Sequence, residues 1–113
     1  MQHILTENKE SDKLGIDLGL LYVLLQPTRQ KIVHLLKESK EPMYIKQIAD
    51  EIGESERNVS FHLLTLAENG LVDGQYREIE PAHHSEIVKG RAAKFYHLTP
   101  KVDEVLKRLE KGI

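Results

Sequence analysis

The chain has no cysteine, so disulfides and thiolate metal sites are excluded, and the composition points to an intracellular setting. It also lacks an excess of positive charge. Sixteen Lys and Arg stand against 18 Asp and Glu, for a formal net charge of -2, which argues against a nonspecific coat on nucleic acid, an activity that draws on many cations to displace counterions. A sequence-specific reader survives this test, because it needs a basic surface only on one side. No run is long enough to span a membrane: the greasiest stretch, LGIDLGLLYVLL, is short and interrupted by Asp17. The opening residues MQHILTENKESDK lack a basic start followed by an apolar core, so no secretion signal is expected and the cytoplasm is the expected location. There is no glycine-rich phosphate loop, and nothing assembles a nucleophile, base and oxyanion site. An enzyme is not expected.

What is present suits one compact domain: 113 residues, 40% hydrophobic and 30% charged, enough to bury roughly two-thirds of the unfolded surface. The stretch that organises it runs from Tyr44 to Val72. Ile45, Ile48, Ala49 and Ile52 recur at three- and four-residue spacing and share one helix face. Gly53 breaks that pattern. Ser55 stands at an N-cap position, and a second periodic run follows through Val59, Leu63, Leu66 and Ala67 until Gly70 ends it. Two short amphipathic helices with a tight turn between them have the sequence form of a helix-turn-helix. Off the main apolar line of the second helix lie Arg57, Asn58, Ser60, Phe61, His62, Leu64 and Thr65. A helix of this width fits the major groove of DNA, where such side chains can meet base edges. Spacing alone leaves open whether the pair reads DNA or only packs.

In chain order, residues 1–13 are polar and expected to fray, and a single domain is expected over 14–113. Leu14, Leu18, Leu21 and Leu25 form one line of the next helix, with Leu20, Val23 and Leu24 beside it. A helix so apolar must be covered on more than one side. The cover is either the rest of the monomer's core or a second copy of the chain, which Gly15 and Gly19 would let approach closely. Pro27 then opens a helix with Ile32, Leu35 and Leu36 on its core face. His34 is expected to pack or cap there. Met43 and Tyr44 can form a short extended piece. Residues 71–77 and 93–99 alternate as strands and suggest an antiparallel hairpin, with the long connection 78–91 between them. In it lies the basic cluster Lys89-Gly90-Arg91, with Lys94 nearby; it is either a nucleic-acid contact or a solvated turn. Thr99-Pro100 begins a last helix striped by Val102, Val105, Leu106 and Leu109.

This order, mainly α with a small β-hairpin (α-α-α-α-β-β-α and a possible extra strand before the helix-turn-helix), resembles the ArsR-type winged helix-turn-helix transcription regulators. The resemblance covers about Leu20 to Leu109. Three stretches carry it: LLQPTRQKIVHLL, IADEIGESERNVSFHLLTLAENGLV and GRAAKFYHLTP. It implies a homodimeric DNA-binding protein, a repressor in the simplest reading, whose two recognition helices enter successive major grooves of a roughly palindromic operator. The positions matching the family's DNA-contacting stretch are Arg57, Asn58, Ser60, Phe61, His62 and Leu64, with Arg91 on the wing. The first and last helices would form the dimer contact through Leu14, Leu18, Leu21, Leu25, Val102, Val105, Leu106 and Leu109. Chemically, Arg57 suits guanine and Asn58 adenine, while Ser60 and Thr65 can bond phosphate or base. Lys89, Arg91 and Lys94 would bring positive charge to the minor groove or flanking backbone.

Two departures from the family pattern matter. Phe61 and Leu64 stand where a basic or polar residue is common, and Glu54, Glu56 and Glu68 make the recognition helix acidic on balance. The two apolar residues can meet thymine methyls, or they can dock a protein, which gives the alternative of a winged-helix interaction module. Many members of the family sense metals through cysteines or through paired Asp and His on the last helix. This chain has no cysteine, and its last helix has Asp103 and Glu104 but no histidine. His83-His84, with Glu80 and Glu86, is the only dense cluster of ligand types, and adjacent histidines on a loop make a poor preformed site. No metal or other cofactor is expected. An effector, if one exists, must bind the DNA-competent and incompetent arrangements with different affinities.

Overall fold

The computed structural model describes residues 18–79 and 92–112, with side chains through residue 108. Helix α1 (Leu18–Leu25) leads through Gln26 into α2 (Pro27–Glu38), followed by strand β1 (Met43–Tyr44) and helices α3 (Ile45–Ile52) and α4 (Glu56–Glu68). Strands β2 (Val72–Glu78) and β3 (Ala92–Leu98) and helix α5 (Pro100–Gly112) complete the order. The expected hairpin is present, in the register Val72↔Leu98 through Glu78↔Ala92. The short extended piece is a true strand. It pairs antiparallel with β3, Met43 opposite Tyr96 and Tyr44 opposite Phe95, so the sheet order is β1-β3-β2.

Local chemistry explains where the elements stop. Gln26 caps α2 by accepting a bond from the Arg29 amide (2.9 Å), with Pro27 in the first turn, where its missing N–H is harmless. Gly53 ends α3 in the left-handed conformation (φ 72°), and Ser55 caps α4 by accepting from the Asn58 amide at 3.1 Å. At the far end of α4, Gly70 is again left-handed. Its amide reaches Ala67 O (3.0 Å) and the Leu71 amide reaches Leu66 O (2.9 Å), the paired bonds of a Schellman stop.

The core is built where the helical periods meet. Ile32, Val33 and Leu36 of α2, Ile48 and Ala49 of α3, and Val59, Leu63 and Leu66 of α4 are buried together with Leu71 and Val72 at the hairpin root. Leu20 and Leu24 of α1 and Val102 and Val105 of α5 close it. Three expectations about burial are corrected here. Val102 and Val105 are buried in the chain's own core, so they are not side chains left over for a partner. Ala67, expected on the apolar line of α4, is exposed, and His62 takes the inward place. His34, expected to pack or cap, is exposed. Leu14, Lys89, Arg91, the side chain of Leu109 and the His83-His84 cluster with Glu80 and Glu86 lie outside the described residues. Among the described residues no helix is long and apolar enough to cross a membrane.

Candidate nucleic-acid interface

Two residues in the first turn of α2, Thr28 and Arg29, tie that helix to the helix-turn-helix from behind. Beyond the cap made by Gln26, the Thr28 hydroxyl donates to both carboxylate oxygens of Glu54, each at 3.1 Å. Glu54 sits in the turn between α3 and α4. It also accepts from the Asn58 side-chain amide and from Lys31 Nζ at 3.4 Å. Burial raises the carboxyl pKa, but the bonds from Thr28, Asn58 and Lys31 outweigh it and hold the group below its ordinary value.

Arg29 makes the second tie. Its Nε donates to Val23 O at 2.6 Å, and its Nη1 lies 3.0 Å from His62 Nδ1. A guanidinium has no acceptor, so Nδ1 accepts and the imidazole proton sits on Nε2. The first consequence is for α4 itself: His62 is only 6% exposed and does not belong to the outer face on which the sequence placed it. The reason is that a neutral imidazole with a guanidinium partner can be buried at an inward helical position without an unmet hydrogen bond. Burial first, and the Arg29 charge second, push its pKa below the ordinary histidine range, against an opposing pull from Glu54.

With His62 turned in, the outer face of α4 is shorter than expected. Arg57, Ser60, Phe61 and Leu64 remain exposed, Phe61 at 60% and Leu64 at 58%. Asn58 is half-buried, and one of its amide N–H bonds is directed to Glu54. Thr65 is half-buried and its hydroxyl donates back to Phe61 O at 3.3 Å, a local bond common to helical threonines.

The hairpin adds charge beside this helix. Lys94 is exposed and places Nζ 5.7 Å from the Tyr76 ring and 5.9 Å from the Tyr96 ring. On the other face of the same two strands, the Arg77 guanidinium stacks 4.5 Å from the centre of Phe95, which meets Tyr44 edge-on at 5.1 Å. Such pairings orient a cation without neutralising it. The hairpin approaches the start of α4 away from its root: Lys94 lines one cleft with Lys46 of α3 and Glu56 of α4. Gly74 makes this close layer possible, since a Cβ there would fall 2.8 Å from Lys94 Cε and 3.0 Å from Tyr96 Cε2. Sequence reasoning missed Arg77, although strand alternation puts it beside Phe95. It also missed the Thr28–Glu54 and Arg29–His62 ties, for which sequence spacing gives no signal.

A helix-turn-helix whose second helix is exposed along one side and followed by a β-hairpin is a winged helix-turn-helix, and that is the fold of this protein. A family model described as a helix-turn-helix domain matches residues 24–75. Solved structures share the architecture at low identity. NolR from Sinorhizobium fredii is 24% identical over 93% of this chain and 89% of its own, with a TM-score of 0.60. The transcriptional repressor BigR from Xylella fastidiosa is 21% identical over 96% of this chain and 86% of its own, at 0.57. The transcriptional regulator PA3341 is 21% identical over 98% of this chain and 74% of its own, at 0.53. No match was found among curated proteins.

Proposed function

We propose that this protein is a sequence-specific DNA-binding transcription regulator of the ArsR type, acting as a homodimeric repressor. The observation that carries the reading is the exposed row Arg57, Ser60, Phe61 and Leu64 on a helix braced from behind and flanked by a cation-bearing hairpin. In this reading α4 enters the major groove and reads base edges, while Arg77 and Lys94, together with Lys89 and Arg91 of the sequence between the two strands, meet the flanking backbone or minor groove. A second copy joins through the outer row of α1, where Leu18, Tyr22 and Leu25 are exposed. Two α4 helices related by a twofold axis then match a roughly palindromic operator. Occupancy denies the promoter to the transcription machinery. BigR is a transcriptional repressor and PA3341 a transcriptional regulator, which supports this reading.

Selection of duplexes from a random library by the purified protein tests it. The expected product is an inverted repeat with half-site centres about one helical turn apart, bound about 10³-fold or more tighter than scrambled duplex at physiological salt. A library that yields no common sequence, bound weakly and only at low salt, overturns the reading. The exposure of Phe61 and Leu64 favours one other function, docking of a protein on the outer face of α4. A partner retained on the immobilised protein, lost with Phe61→Ser and kept with Arg57→Ala, would identify that function instead.

A further inference from the structure

Helix α4 has little charge to spend on phosphates. Between Glu56 and Glu68 its only formal cation is Arg57, the two glutamates oppose it, and His62 is buried with its pKa lowered. Its large exposed apolar side chains are instead Phe61 and Leu64. Residues three apart on a helix stand about 5–6 Å from one another, so the pair makes a single apolar ridge along the outer face. Phe61 is also held in place. Its ring meets the His62 imidazole edge-on, with centroids 5.0 Å apart at 72°, and that imidazole is fixed by Arg29 Nη1 at 3.0 Å. Arg29 in turn is anchored on Val23 O at 2.6 Å. An exposed aromatic ring positioned by a buried side chain is preorganised for contact.

In the major groove the one apolar group a base pair offers is the C5 methyl of thymine. Arg57 and Ser60 on the same face suit polar base edges or phosphate, and the hairpin supplies cations beside them, so the ridge lies within a surface shaped for nucleic acid. Resting on the DNA-regulator reading above, we infer that Phe61 and Leu64 read thymine methyl groups, and that Phe61 is a specificity-determining residue of this protein. Successive bases on a strand rise about 3.4 Å, so two side chains at that separation reach thymines one or two steps apart. The half-site therefore contains two nearby thymines whose methyls, rather than their hydrogen-bonding edges, are recognised.

Uracil presents the same hydrogen-bonding edge as thymine without the methyl, which makes the test direct. On the duplex selected by the library experiment, each thymine is replaced singly by uracil, and affinity is measured for the natural protein and for a Phe61→Ala, Leu64→Ala double variant. Both substitutions are at exposed positions, and circular dichroism checks that the variant folds. The expected result is a loss of about fourfold per contacted methyl at two nearby thymines of each half-site, and no response to uracil in the double variant. Indifference of the natural protein to uracil at every position overturns the inference while leaving the regulator reading intact. An equal response in the double variant also overturns it, because the methyls would then be read by other residues. Failure to select any duplex is a different result and removes the regulator reading, and this inference with it.

Discussion

Arg29 Nη1 donates to His62 Nδ1 across 3.0 Å, joining the start of α2 to the inward side of α4. The bond requires a neutral imidazole, since protonation at Nδ1 would leave two donors facing each other. Burial and the guanidinium lower the folded-state pKa of His62, so the unfolded chain binds its proton more readily. Stability from this group is therefore complete above the ordinary histidine value, near 6.5, and is lost as pH falls through the lowered folded value. The melting temperature should fall between pH 7.5 and 5.5, and a His62→Gln variant, which keeps an acceptor but does not titrate, should show a shallower fall. Glu54 adds a second acid-side loss. Its carboxyl is also held low, by the bonds that overcome burial, but that loss begins only below the ordinary carboxylate value of 4.5.

The turn between α3 and α4 offers two separable substitutions. At Gly53 the backbone has φ +72°, yet an added Cβ would meet nothing within 4 Å. Gly53→Ala therefore measures left-handed strain alone and should cost about 1–2 kcal/mol, with Gly53→Asn costing less because asparagine tolerates that region. Ser55→Ala removes the cap on Asn58 N and should cost about 1 kcal/mol, while Ser55→Asp should restore it. Urea unfolding at constant m-value would read both.

These positions show what the sequence conveys about such a fold. Gly53, Ser55 and Gly70 act through the chain's own neighbours, and their roles follow from residue type and spacing. The same holds for the inward lines of α2 and α3, because the helical period sorts apolar side chains by face. His62 shows the limit of that reasoning. Its helical position is inward, but a polar residue type suggested the outside, and only a partner 33 residues away, Arg29, makes burial tolerable. Thr28 and Glu54, 26 residues apart, are hidden for the same reason. Val102 and Val105 were misplaced differently: an amphipathic stripe says that a face is covered, not whether the cover is the same chain or another copy.

Charge on the hairpin and on α4 should separate in binding experiments. Arg77→Ala and Lys94→Ala remove exposed cations carried on aromatic rings of the two wing strands. Each should weaken binding by a similar factor on all duplexes and lower the slope of log affinity against log salt by about 0.9 if the residue meets one phosphate. Arg57→Ala should behave otherwise. At the exposed start of α4 it should cost about 1–3 kcal/mol on the selected duplex and relax preference at a single base position. Anisotropy titrations at three salt concentrations, on selected and scrambled duplexes, would distinguish the two patterns. A change in salt slope for Arg57→Ala without loss of base preference would move that residue from reading to anchoring.

The outer row of α1 should decide assembly. Leu20 and Leu24 point into the core, so the opposite side of this short helix carries Leu18, Tyr22 and Leu25 into solvent, Tyr22 at 77% exposure, with Leu21 half-buried beside them. Three large apolar side chains on one exposed helical face are poorly hydrated alone, and a twofold axis beside the helix would bury each row against its copy. Leu106 of α5, also half-buried, is the one member of the last-helix stripe with a described side chain that remains for such a contact. Sedimentation equilibrium should therefore give a mass of about twice 13.0 kDa. Leu25→Glu, at a position already exposed in the monomer, should keep the helical circular dichroism signal while reducing the mass to that of one chain. If operator recognition needs two α4 helices, the same variant should lose the inverted repeat as a high-affinity target and bind a single half-site no better than the natural protein does. A natural protein that sediments as a monomer would remove the palindromic operator from the proposal and leave α4 to read one half-site alone.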